Sequence, residues 1–189
     1  MEKAFENPVN LTSQSPAFSL QRKLAWGLIS GLAGTITMDL ILMGIFLVFR
    51  LPVLTCFLII GNTVAHFFGT HPIEIENAIQ IGVATHYFVG PLIGLMFGST
   101  VMRLKPLWVN SLEKCILAAI LFVELLSQSL LVMPPILLKM TAIVILMWYG
   151  GSFIMHLIAA VVMGWVFYQG VHFQKDRKVK LSIRFNGEK

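Results

Sequence analysis

A run of about 20 apolar residues can cross a hydrocarbon layer ~30 Å thick, and this chain contains four such runs. They cover about 24–49, 78–102, 112–133 and 151–173, each with at most one acidic or basic side chain in its interior. Backbone N–H and C=O groups in lipid must be satisfied internally, so the spans must be helices. Only 12% of the residues are charged against 57% hydrophobic. A soluble domain carries about twice that charge. The expected fold is therefore all-α: an integral membrane four-helix bundle over 24–173, between a polar tail, 1–23, and a basic tail, 174–189. The first 23 residues lack an apolar core and cleavage site after a basic start, so they read as a tail rather than a signal peptide.

Two shorter apolar stretches complicate the count. Residues 51–69 contain Pro52 and are interrupted by Gly61 and Asn62; residues 134–148 open on Pro134 and Pro135 and carry Lys139. Both are short for a span and are expected to lie as proline-led interfacial or re-entrant segments, with six spans as the alternative.

Charge sets the expected orientation. In the four-span reading, twelve of the fourteen basic residues fall in the two tails and the central loop, leaving only Arg50 and Lys139 on the other side. Lys and Arg concentrate in cytoplasmic loops, so both termini are expected in the cytoplasm of a bacterial cell, with the protein in the inner membrane. The same basic tail sits naturally near anionic headgroups, and nucleic acid is not an expected partner. The lipid bilayer is, and so is a second copy of the chain or another membrane protein. Cys56 and Cys115 form no CxxC pair, which argues against a disulfide framework or thiolate zinc site.

The spans repeat in pairs. "HYFVGPLIGLMFG" begins at His86 and "HLIAAVVMGWVFY" at His156; each has a small residue four places on (Gly90, Ala160), a glycine eight places on (Gly94, Gly164) and phenylalanine eleven places on (Phe97, Phe167). These offsets fall near one helix face. Small residues four apart let membrane helices approach closely, so Gly90, Gly94, Ala160 and Gly164 are candidate packing positions, and the two histidines are expected to face protein. The other two spans carry Asp39 and Glu124, each followed by a proline-led segment. The order suggests two tandem two-helix units of the same orientation.

Asp39, His86, Glu124 and His156 are ionisable groups at membrane depth, each costing roughly 2.5–3.5 kcal/mol at a helix centre. Counted along the spans they fall at one level in the outer half, which suggests a single buried cluster, with His66 as a fifth member if its segment folds back. Several roles fit this set. Acid and imidazole can pair to hold helices in register. Two histidines can hold haem, or with the carboxylates a divalent metal, with His86 and His156 as ligands. The set can also carry protons in a small transporter or channel-like protein. No Walker loop, dinucleotide fingerprint or HExxH is present, and Ser127 lacks a nucleophile motif. A membrane-embedded enzyme is thus the least favoured class.

The succession "GTITMDLIL", "LPVLTCFLIIGNTVAHFFG", "GVATHYFVGPLIG", "LLVMPP" and "MHLIAAVVMG" resembles the bacterial membrane proteins grouped as domain of unknown function 2938. The positions carrying the resemblance are Thr35, Met38 and Asp39; Pro52, Gly61 and His66; His86, Tyr87 and Gly90; Met133 and Pro135; and His156 with Leu157. Val83 stands where the family has tryptophan, and Pro134 where it has glutamine. The resemblance implies a small inner-membrane protein and no particular activity.

Overall fold

A computed structural model describes residues 16–70, 72–103 and 111–186 of the chain. The described residues form six helices: α1 (Pro16–Val48), α2 (Thr55–Phe67), α3 (Ile75–Arg103), α4 (Leu112–Leu130), α5 (Met133–Leu137) and α6 (Ala142–Asn186). No strand occurs among them. Four helical segments are long and apolar enough to cross a membrane: Gln21–Val48, Ile75–Val101, Leu112–Leu137 and Ala142–His172. At 13 residues, α2 extends only about 20 Å, too short for a span.

The second proline-led segment differs from the expectation. Pro134 and Pro135 lie in the five-residue α5, where they occupy the first turn and need no N–H donor. Residues 142–148 belong to the last long helix. Gly150 and Gly151 interrupt the pattern in sequence but not the helix. A glycine costs a helix about 1 kcal/mol, less than leaving backbone groups unsatisfied in lipid. Past the membrane α6 continues to Asn186, through the stretch read as a tail; from Gly170 to that point there is no proline or further glycine to stop it. Residues 1–15 of the expected N-terminal tail, and Lys105 in the central loop, lie outside the described residues.

α1 lies at the centre, packed along both α3 and α6; α4 lies along α6, and α2 along the first half of α3. The reason is visible in α1 itself. Its buried positions are Gly27, Ser30, Gly31, Gly34, Thr35, Met38 and Asp39, a stripe alternating steps of three and one. Leu28, Ile29, Leu32, Ile36 and Leu40 are exposed on the other faces, as suits contact with lipid. Ser30, Thr35 and Thr37 donate their hydroxyls back to the carbonyls of Gly27, Gly31 and Ala33 at 2.8, 3.0 and 2.9 Å, so the helix satisfies its own polar groups.

Between α1 and α3 the contact is glycine on glycine. A Cβ at Gly94 would meet the Gly27 carbonyl and Gly31 backbone; one at Gly31 would meet Gly90 and Gly94; one at Gly98 would meet Lys23 and Gly27. Gly34 abuts the Ala159 backbone of α6 in the same way. Between α4 and α6, Gly164 lies over Cys115, Ile116 and Ala119, and the Cys115 thiol donates to the Gly164 carbonyl at 3.4 Å. Larger side chains fill the wider gap between α3 and α4. Phe97 contacts Phe122 and Phe167 with ring centroids 5.6 and 5.2 Å apart, and all three join a core with Val101, Ala119 and Met163.

Three helices end at the same face of the bundle with related backbone geometry. Leu51 N–H donates to the Phe46 carbonyl, Thr70 N–H to Ala65 and Met140 N–H to Pro135, each closing a C-terminal turn through a residue of positive φ. Those residues are Arg50, Gly69 and Lys139, at φ 56°, 69° and 49°.

Candidate functional site

The buried stripe of α1 ends at Asp39, 3% exposed, one turn beyond the glycine seam. His86 of α3 faces it across the helix contact, with its Nε2 3.1 Å from Asp39 Oδ1. The contact is close in distance but not aligned as a hydrogen bond, and Asp39 Oδ2 is buried without a hydrogen-bond partner. This register follows from the seam. Antiparallel helices that meet at Gly31 and Gly94 bring together positions equally far along each chain, and Asp39 lies eight residues after Gly31 as His86 lies eight before Gly94.

Three further polar side chains surround the pair. Tyr87, adjacent on α3, lies near the Asp39 carboxylate. Cys56, near the start of α2, lies close enough to feel the Asp39 charge; burial and then that charge push its thiol up to about 12. At neutral pH Cys56 is therefore a protonated thiol and a poor nucleophile. His156 of α6 lies near His86. Phe57 closes the side toward α2, edge-on to the His86 ring at a centroid distance of 5.7 Å.

The four ionisable groups expected in one cluster are thus only partly brought together. Asp39 and His86 meet, and His156 is their neighbour. Glu124 is elsewhere. The buried stripe of α4 is Cys115, Ala119, Val123 and Ser127, each four residues after the last, and Glu124 falls beside it. Its Oε2 accepts from Gln128 Nε2 at 3.0 Å, one turn along its own helix, and it forms no ion pair with either histidine. His66 lies ten residues beyond Cys56, about 15 Å further along α2, and lines a groove against α5. Among the described residues no group of three or more His, Cys, Asp or Glu side chains is arranged to hold a metal. The reading of His86 and His156 as ligands of a metal or haem therefore finds no support among the described residues.

The candidate packing residues lie as follows. Gly90 abuts Thr35 and Gly94 abuts Gly27 and Gly31, both on α1; Gly164 abuts α4, and Ala160 is fully buried in the core. Sequence reasoning missed Cys56 and Tyr87 as neighbours of Asp39. The signal for Tyr87 was its place beside His86; nothing in the sequence pointed to Cys56, which reaches the site only because α2 folds back over α3. That fold-back rests on two close approaches, Gly61 against Ala78 and Gly82 against Phe57.

These features define a helical membrane-type bundle with an acid–histidine pair in its interior. Comparison with protein families, with characterised proteins and with solved structures finds no match.

Proposed function

We propose that the chain is a small channel-like membrane protein that conducts protons, in which the Asp39–His86 pair binds and passes the proton. The single observation that carries this reading is the pair itself. An acid and an imidazole sit 3.1 Å apart inside a bundle whose outer faces are apolar. Ionisable groups at such depth are expensive, and proton relays and solute paths are among the features they mark. Tyr87 and His156 beside the pair are two further groups able to exchange a proton with it. A proton that moves between Oδ1 and Nε2 converts an ion pair into a neutral pair, which lowers the cost of rearranging α1 against α3.

Within this reading the protein lies in a bacterial inner membrane with both termini cytoplasmic, as the distribution of basic residues supports. Membership of the domain of unknown function 2938 family, descent from a duplicated two-helix unit and self-association belong to the same proposal.

The test is proton entry into proteoliposomes holding a pH-sensitive dye, after an imposed pH step. Wild-type protein is expected to dissipate the gradient at least about tenfold faster than Asp39→Asn or His86→Gln, as for loss of a positioned proton carrier. A specific alternative is that the pair only staples α1 to α3. Equal proton entry in wild type and variants, with lower melting temperatures in the variants, would establish the staple instead.

A further inference from the structure

We propose that the groove between α2 and α5 binds an anionic phospholipid, with the Lys139 ammonium on the lipid phosphate. The groove is open, has a volume of about 460 Å³, and is lined by Leu58, Ile59, Asn62 and His66 from α2 with Leu137 and Lys139 from the α5 turn. Its lining combines apolar side chains with a cation, an amide and an imidazole, the mixture that suits an acyl chain and a headgroup. No acid lines it, so the single full charge in the groove is positive. Asn62 Nδ2 already donates to the Leu58 carbonyl at 2.9 Å. Leu54, Phe67 and Ile136 of the same segments are apolar and exposed.

The second, independent observation is the backbone of Lys139. It takes a left-handed conformation, φ 49°, at the turn that ends α5. Glycine adopts that conformation without penalty and does so at the end of α2, where Gly69 has φ 69°. A side chain kept where glycine would be easier points to a use for the side chain. The dipole of a five-residue helix offers little reason for a cation there. Lys139 is exposed and has no ion-pair partner among the described residues. A phosphate supplies the missing anion through a charge-assisted hydrogen bond. The lipid lies at the bundle end remote from both termini, separate from the Asp39–His86 pair, and its binding does not depend on proton transport.

Native mass spectrometry of the purified full chain tests this, after exchange into detergent containing phosphatidylglycerol, phosphatidylcholine or inorganic phosphate. Wild type is expected to retain one phosphatidylglycerol in preference to phosphatidylcholine. Lys139→Gln and Lys139→Gly should each weaken that retention about tenfold. Millimolar inorganic phosphate should leave it unchanged, because the acyl contact belongs to the lipid alone. In lipid-free detergent Lys139→Gly should melt no lower than wild type, since glycine relieves the backbone. Equal retention by wild type and both variants, equal retention of the two lipids, or displacement by phosphate would overturn the proposal. So would a lower melting temperature of lipid-free Lys139→Gly, which would show that the lysine is kept for the fold.

Discussion

The α1–α3 and α4–α6 contacts use the same device and put it to different ends. In each, a glycine on the later helix, Gly94 or Gly164, lets a neighbouring backbone come close, and a histidine lies eight residues before it. Opposite His86 the stripe of α1 presents Asp39. On α4, the buried position twelve residues after Cys115 is Ser127, as Asp39 lies twelve after Gly27, and the acid has moved three residues away to Glu124. Three residues turn a side chain some 60° around a helix. That shift is enough to send Glu124 to Gln128 and leave His156 without a carboxylate of its own. Close helix packing therefore sets where two spans meet, whereas the phase of one polar residue decides whether they form an ion pair.

The contrast is sharpest at the glycines. Gly94→Ala would force a Cβ into the Gly27 carbonyl and the Gly31 backbone, neither of which can rotate away. The expected loss is about 3 kcal/mol or more, read as a collapse of the folded fraction in mixed-micelle unfolding. Gly164→Ala should cost less, about 1–2 kcal/mol, because part of what it meets is the Ala119 side chain. A loss at Gly164 equal to that at Gly94 would mean that the two contacts are equally tight and the comparison wrong.

The acids should separate next. Asp39→Ala leaves the buried Nε2 of half-buried His86 without its partner and should destabilise the chain by about 2–3 kcal/mol. Glu124→Leu removes a carboxylate whose Oε1 is already buried without a partner, and should be neutral or stabilising by up to about 1 kcal/mol. Parallel unfolding curves check both. Equal destabilisation would return Glu124 to the same cluster as Asp39. Smaller again is the effect of glycines that touch nothing: Gly44→Ala and Gly150→Ala add a Cβ to open space and should stabilise by about 0.5–1 kcal/mol through helix propensity alone.

How much of this was legible beforehand depends on the range of the interaction. The four spans follow from local composition, and lipid leaves helices as the only solution, so their number and class could be read directly. Glycines eight residues after each histidine marked the later helices, but their counterparts Gly27 and Gly31 lay unnoticed in "WGLISGLAG", although they are spaced in the same way. Glu124 was assigned to the Asp39 site because depth along a span is readable from the sequence and azimuth around a bundle is not. Its position on the helix puts it beside the stripe of Cys115, Ala119, Val123 and Ser127, and that stripe is defined only once α6 is seen to cover it. Cys56 depends on a fold-back of α2, a tertiary event with no sequence pattern of its own.

The last test asks whether α2 truly covers the first pair, a cover for which the second half has only the five-residue α5. Cys56 reports on it without any substitution beyond Cys115→Ala. Burial and the Asp39 charge both disfavour the thiolate, raising the thiol from 9.0 to about 12. The sign follows directly. The folded chain holds this proton more tightly than the unfolded chain, so the associated stability is present below pH 9 and is lost as pH rises toward 12. At neutral pH folding is unaffected, and only the reaction rate carries the signal. Labelling by a neutral alkylating reagent should rise about tenfold per pH unit throughout pH 7–10, because only the thiolate reacts. An uncovered thiol would level off near pH 9, its ordinary value. Levelling in the native chain would place α2 away from Asp39 and remove the main structural difference between the two halves; a continued rise, lost in Asp39→Asn by an earlier plateau, would tie the cover to the pair.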